Sequence, residues 1–230
     1  MSDAIKAILH SIQSDMKQVD VISQNVANAQ TPGFRAAKTT GVSFEQALNS
    51  GSEKLIQQTM NPTSGTVKVT GNPLHATVQG EGFFVVARSQ ANLKLSKNLQ
   101  LSVNSDNELQ TQSGINLGIY IDGDLGGAIE ITQDGKVKQG NQEIGEVEVV
   151  SIKDYSKVLN ASGSIFEIKE DYVQETDVKV LHGALELSNV DSSQEIIKLM
   201  MLSKHVESNQ RSLLTLDQML DSGINEIGKR

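Results

Sequence analysis

The sequence predicts an α+β protein: an N-terminal and a C-terminal α-helix that pair in coiled-coil fashion, with a mainly antiparallel β domain between them. Three observations carry this reading. Near the start, Ile5, Ile12, Val19 and Val26 fall seven apart, with Ile8 and Ile22 as companions. Near the end, Leu199, Val206, Leu213, Leu220 and Ile227 repeat the spacing, with Leu202 and Leu216 as companions. A seven-residue apolar repeat lines one narrow stripe of a helix, as in a coiled-coil seam, and such a stripe needs a partner. The nearest candidate is the other end of the same chain, followed by the same seams on further copies. Between the ends the apolar period drops to two or to short runs, at Val67 and Val69, Phe83 to Val86, Ile129 and Ile131, and Val147, Val149 and Ile152.

The first helix opens with Ser2 or Asp3 as cap and runs to about Ala29. Asn25, Asn28 and Thr31 lead into Pro32 and Gly33, where proline sets φ at the second place of a turn and glycine accepts the positive φ that follows. Phe34 is the apolar anchor as the chain leaves that turn. From Ala36 to Gly65 the composition is that of a connector, part extended and with a short helix around Phe44 to Leu48. From Thr66 onward, turn signals at Asn72-Pro73, Gly80-Glu81-Gly82, Asp106-Asn107, Gly123-Asp124, Asp134-Gly135 and Gly140-Asn141 separate short strands, the pattern of a sandwich or barrel-like domain. Aromatic residues are scarce, so its core is expected to be Val, Ile and Leu. After Ser188, Asn189, Val190 and Asp191 the last helix begins, with Ser192 and Glu195 spaced as a capping box. The predicted boundaries are 1–35 for the first helix and turn, 36–65 for the connector, 66–187 for the β domain and 188–230 for the last helix.

Bulk properties remove several classes of function. A net charge of −8 argues against nucleic acid, because phosphate binding requires clustered Lys and Arg. Cysteine is absent, which excludes disulfides, thiolate metal sites and a Cys nucleophile. No apolar run approaches the roughly 20 residues that span a bilayer, so no membrane insertion is expected. The N-terminus is amphipathic and lacks the pattern of a cleaved signal peptide. Asp122-Gly123-Asp124 hints at calcium, but Gly126 and Gln133 stand where an EF-hand needs an oxygen ligand and a bidentate Glu. Gly80 and Gly82 begin a dinucleotide-type pattern that Val85 breaks. His10, His75, His182 and His205 are scattered, and no Gly-x-Ser-x-Gly elbow is present. Hence no catalytic residue, metal or cofactor is expected.

Energetics tie the two ends together. Ordering the first helix costs roughly 1–2 kcal/mol per residue in backbone entropy, while each seam side chain returns only about 1.5–3 kcal/mol on burial. A narrow-striped helix of this length is marginal alone. The ends are therefore expected to be largely disordered in the free subunit and to become helical on packing. Each seam carries one polar interruption, Asp15 and Asn209, which an antiparallel arrangement would bring together to help set register.

Three stretches resemble a known family. Asn25-Val26-Ala27-Asn28-Ala29-Gln30-Thr31-Pro32-Gly33-Phe34-Arg35-Ala36 is similar to the N-terminal signature of the flagellar basal-body rod and hook proteins. Gly80-Glu81-Gly82-Phe83-Phe84-Val85-Val86 resembles that family's first core strand, and Gly183-Ala184-Leu185-Glu186-Leu187-Ser188-Asn189-Val190-Asp191 its lead into the C-terminal helix. The resemblance implies a structural subunit of the flagellar rod that self-assembles into a helical tube and carries torque from motor to hook. It further implies an inner domain built from the terminal helices and an outer β domain. Expected partners are other copies, other rod proteins and the flagellar export apparatus, which would deliver the chain to the periplasm without a cleaved signal. The Thr-Pro-Gly-Phe-Arg-Ala turn, the length and the residues after Met219 resemble the proximal-rod branch more than the distal-rod branch. Leu95, Asn98 and Leu101 stand where the family often has Tyr-Thr-Arg-x-Gly-x-Phe, a departure expected to show at the outer surface. The residues assigned to assembly are the two seams, the turn residues Asn25, Asn28, Thr31, Pro32, Gly33 and Phe34, and the lead-in Ser188 to Asp191. Two other classes stay open at this point: a soluble coiled-coil binding module, and an enzyme with a site on the β domain.

Overall fold

The computed structural model describes residues 2–41, 56–89, 92–122, 127–176 and 179–227. In chain order the elements are α1 (Ser2–Ala27), β1 (Ala37–Gly41), β2 (Ile56–Met60), β3 (Val67–Val69), β4 (His75–Val78), β5 (Gly82–Ser89), β6 (Asn92–Ser96), β7 (Asn98–Val103), β8 (Glu108–Thr111), β9 (Asn116–Tyr120), β10 (Ile129–Ile131), β11 (Lys136–Gln139), β12 (Gln142–Glu146), β13 (Val149–Ile152), β14 (Leu159–Ser162), β15 (Ile165–Lys169), β16 (Val173–Glu175), β17 (Val180–His182), β18 (Ala184–Glu186) and α2 (Ser192–Ile227). They divide into a helical unit that carries α1 and α2 and a β unit made of Asn28–Lys38 and Thr59–Val190. The expected helix around Phe44 to Leu48 and the turn at Gly123-Asp124 lie outside the described residues.

Within the β unit, a six-stranded sheet in the order β14-β15-β6-β5-β13-β16 packs with a five-stranded sheet in the order β17-β4-β7-β8-β9. A three-stranded sheet, β10-β11-β12, and a ribbon of β18 with β3 complete it. The strand β5 explains why this is a sandwich with two cores. Its sequence is nearly all apolar, and alternation sends Phe84 and Val86 to one face and Phe83 to the other. The first face meets Val78, Leu99, Leu101, Leu109 and Val137; the second meets Leu93, Leu95, Val150, Phe166 and Ile168. The expectation of a Val, Ile and Leu core needs amending, because Phe83, Phe84 and Phe166 are each at most 1 % exposed. Phe83 and Phe166 meet edge to face with centroids 5.9 Å apart.

The short run Val67 and Val69 forms a strand but contributes nothing to either core. Among the described residues it pairs only with β18, and its valines are 42 % and 78 % exposed. The cap of α2 also differs from the expected box. Asp191 Oδ1 accepts from the Ser193 and Gln194 backbone amides, at 3.0 and 3.2 Å. Glu195 points elsewhere, to Lys198 and Asn25.

The coiled-coil-like pairing of the helices is overturned. In the helical unit the cross-links run from high to low numbers in α1 as they run from low to high in α2. Asn25 Nδ2 donates to Glu195 Oε2 (3.2 Å), His205 Nδ1 lies 2.8 Å from Asp15 Oδ2, and Asn209 Nδ2 donates to Asp15 Oδ2 and Ser11 Oγ (3.1 Å each). The helices are antiparallel neighbours, and Asp15 and Asn209 do meet. A coiled coil, however, buries its seam residues between the helices. Here Ile22 is the most enclosed at 9 % exposure, while Ile8, Ile12, Val19, Val26, Leu199, Leu202, Val206 and Leu213 are only half-buried. Among the described residues neither apolar core contains a helix residue. The reason is local: the buried Asp15 stands in the contact and is held there by Asn209 and, from the exposed rim, by His205, so part of the seam is polar. The side chains of Ile5, Leu216, Leu220 and Ile227 lie outside the described residues.

Candidate functional site

The turn after α1 is built as its sequence dictates. Phe34 N donates to Thr31 O (3.2 Å), Thr31 N donates to Asn28 O (3.0 Å), and Gly33 takes φ +79°. A side chain at Gly33 would be strained and would also meet Asn98 Nδ2 at 3.0 Å. That close approach lets Gly33 N donate to Glu186 O (2.8 Å). Phe34 is fully buried, as an anchor must be.

Glu186 is the hub of this region. Its backbone carbonyl accepts from Asn98 Nδ2 (2.8 Å) and its backbone amide donates to Asn98 Oδ1 (2.9 Å), so one side-chain amide substitutes for a strand neighbour. Its carboxylate Oε1 accepts from Arg35 Nη2 (2.8 Å) and from Gly65 N (2.7 Å), while Oε2 lies 3.7 Å from Lys97 Nζ. Lys97 donates to Gly80 O (2.6 Å) and Gly82 O (2.8 Å) and sits 5.3 Å from the centre of the Phe83 ring. Arg35 Nη1 donates to Thr63 O. Three residues on, Asn189 Oδ1 accepts from Ala36 N (2.7 Å) and Asn189 Nδ2 donates to Thr63 O (2.7 Å).

The cluster is charged and almost sealed from water, with Arg35, Lys97 and Glu186 side chains at 1 %, 0 % and 3 % exposure. Two cations share one carboxylate. Burial drives the Lys97 ammonium down to about 8, Glu186 opposes that shift, and Arg35 reinforces it. Among the described residues no group of His, Asp or Glu is placed to hold a metal ion. An open depression of about 790 Å³ is lined by Asp134, Glu146, Val147, Glu148, Val149, Glu175 and Thr176.

The structure thus brings together parts of all three sequence stretches: Gly33 to Ala36 from the first, Gly80, Gly82 and Phe83 from the second, Glu186 and Asn189 from the third. Asn25 instead lies on α1 against Glu195. Asn28 Oδ1 accepts from Thr31 Oγ1 (3.2 Å), which closes the turn on itself. Ser188 Oγ accepts from Val190 N (3.3 Å). Sequence reasoning missed Arg35, Lys97, Asn98 and Glu186 as a unit. The expected effect of the Leu95, Asn98 and Leu101 departure on the outer surface is also corrected, since all three are buried, at 0 %, 6 % and 6 % exposure. The departure sits in the core and beside the hub.

Comparison with known proteins agrees with this map. Residues 15–35 match the family described as "Flagella basal body rod protein", and residues 181–226 match "Flagellar basal body rod FlgEFG protein C-terminal". Those two segments contain the turn and the hub at Glu186. The flagellar basal-body rod protein FlgF of Mesorhizobium japonicum is 24 % identical, with 100 % of both chains covered. From end to end the chain is similar to the flagellar basal-body rod proteins. FlgF of Caulobacter vibrioides is 25 % identical over 100 % of this chain and 99 % of its own. The rod protein FlgG of Buchnera aphidicola subsp. Schizaphis graminum is 21 % identical, and the match spans 90 % of this chain. Each of these relatives is named as a flagellar basal-body rod protein.

Proposed function

We propose that this chain is a flagellar rod protein, a proximal-rod, FlgF-like subunit that assembles with copies of itself and with other rod proteins into a helical tube carrying torque from motor to hook. Coverage of the FlgF relatives from end to end supports the proximal assignment over a distal, FlgG-like one. The observation that carries assembly is a second apolar face on α2. Ile196, Ile197, Met200, Met201, Leu214 and Met219 are 45–67 % exposed. At 100° per residue they fall within about 140° of arc, on the side opposite Leu199, Leu202, Val206 and Leu213. A helix that is apolar on two opposite sides has more surface to cover than one neighbour can enclose. A head-to-tail contact that does not close on itself then generates a helical polymer.

In this reading the seam residues, the turn and the lead-in from Ser188 to Asp191 serve assembly, residues 1–35 and 188–230 act together, and the β domain spans 66–187. The subunit reaches the periplasm through the flagellar export apparatus. Val206→Asp with Leu213→Asp is expected to abolish incorporation into rods and swimming while the β unit keeps its melting transition. Complete basal bodies purified from that strain would defeat the proposal.

A further inference from the structure

We infer that the Glu186 hub is a joint loaded in shear: tension that enters the β unit from the end of α1 and the start of α2 is borne by the bonds joining residues 33–36 to 186–189, in parallel with the Asn25–Glu195 link between the helices. For its purpose the inference rests on the rod reading. Its geometry does not. Gly33 N meets Glu186 O, and three residues further along each run Ala36 N meets Asn189 Oδ1. Equal steps in the same sense mean that the two runs lie parallel. The first continues backward into α1 and the second forward into α2. Two parallel runs drawn from opposite ends slide lengthwise, so their cross-links share the load at once and do not part in sequence.

The chemistry of the joint suits that task better than it suits stability. An excess positive charge is buried there, and Arg35 Nε has no hydrogen-bond partner among the described residues. Well-packed apolar residues of the same size are often as stable as such a cluster or more so. Apolar contact is non-directional and resists sliding poorly, whereas a hydrogen bond holds two fixed atoms. The cross-links are also braced from the side. Thr63 O accepts from both Arg35 and Asn189, Gly65 N holds the Glu186 carboxylate, and Asn98 holds the Glu186 backbone at both polar atoms.

The test is single-molecule stretching of the full chain, which has no cysteine of its own. Handles are attached through Gln30→Cys and Ser192→Cys, both exposed, and in a control pair through Asp106→Cys and Lys153→Cys, exposed on the β unit. The parent chain is expected to show a high-force first rupture between the first pair. That rupture should be lost in the triple variant Arg35→Met, Lys97→Met, Glu186→Met and lowered in Asn189→Ala, while the control pair ruptures as before. Asn189→Ala carries the test alone if the triple variant fails to give the β-sheet circular dichroism of the parent. A rupture force unchanged in Asn189→Ala, or the absence of a high-force event in the parent, overturns the joint. Imaging of basal bodies from a deletion strain reads the rod reading separately: complete rods there would sink that reading and leave the force result standing.

Discussion

Leu95, Leu99, Leu109 and Val137 in the β unit are fully enclosed, whereas Met200, Met201 and Leu214 in α2 stand more than half exposed. The β unit satisfies its apolar residues internally, over two cores that share strand β5. The helical unit is stitched by polar contacts and leaves apolar surface uncovered on α2. Burial contributes about 25 cal/mol per Å² of apolar surface, so the difference teaches that the β unit draws its stability from its own cores, while the proposed assembly is what would cover the apolar surface of α2. Between the two in sequence stands the turn at Gly33, which folds with the β unit.

The largest effect is expected at the hub. Glu186→Gln removes the carboxylate that contacts the buried Arg35 and Lys97 and should destabilise the β unit by roughly 3–5 kcal/mol. Denaturant unfolding followed by β-sheet circular dichroism would measure it. A loss below about 1 kcal/mol, the size typical of an exposed ion pair, would erase the contrast between the units.

Lys97 makes the same point through pH. Its folded value is about 8 against an ordinary 10.5, so between those limits the unfolded chain holds a proton that the folded chain has released. Stability rises with pH wherever the unfolded state binds more protons. The β unit should therefore gain on the order of 3 kcal/mol from Lys97 between pH 8 and 10.5. Lys97→Met should lack that rise, and the difference between the two unfolding curves isolates it from other titrating groups. Parallel curves would mean that Lys97 is not held in the dry environment its contacts describe.

How much of this was legible beforehand depends on the range of the interaction. The span of α1 followed from its repeat and from Pro32-Gly33, because a helix stop is written in adjacent residues. The strands at Val67–Val69, Gly82–Ser89, Ile129–Ile131 and Val149–Ile152 and several turns followed for the same reason, while the remaining strands did not. Asn107 and Gly135, for example, take the positive φ that their turns require. The coiled-coil reading failed because a heptad stripe records which residues are apolar, not whether two helices alone can enclose them once the buried Asp15 and its partner Asn209 enter the contact. The hub was illegible because Arg35, Lys97 and Glu186 are far apart in sequence and each, taken singly, reads as a surface charge. Only the fold that brings residues 97 and 186 to the turn turns them inward.

Gly33→Ala gives a smaller and more local effect. The new methyl group would occupy φ +79° and press on Asn98 Nδ2, which holds the Glu186 backbone. Left-handed strain at a non-glycine residue costs about 1–3 kcal/mol, and that loss should appear in the β unit, where the turn belongs. If the melting of the β unit were unmoved and only helix content fell, the turn would have to be reassigned to the helical unit.

The smallest effect is expected at Asn209, and it probes the other side of the comparison. Asn209→Ala removes the bonds to Asp15 and Ser11, yet Asp15 keeps His205 as a neighbour, so the loss should be near 1 kcal/mol. It should be confined to the helices. Amide exchange on α1 and α2 in dilute subunit is expected to accelerate from an already weakly protected level, because the pair lacks an enclosed apolar seam, while exchange in β5 and β7 stays unchanged. Strong protection of both helices in the parent chain would show that the polar links suffice without neighbours, and the case for helices ordered by assembly would fail on that measurement.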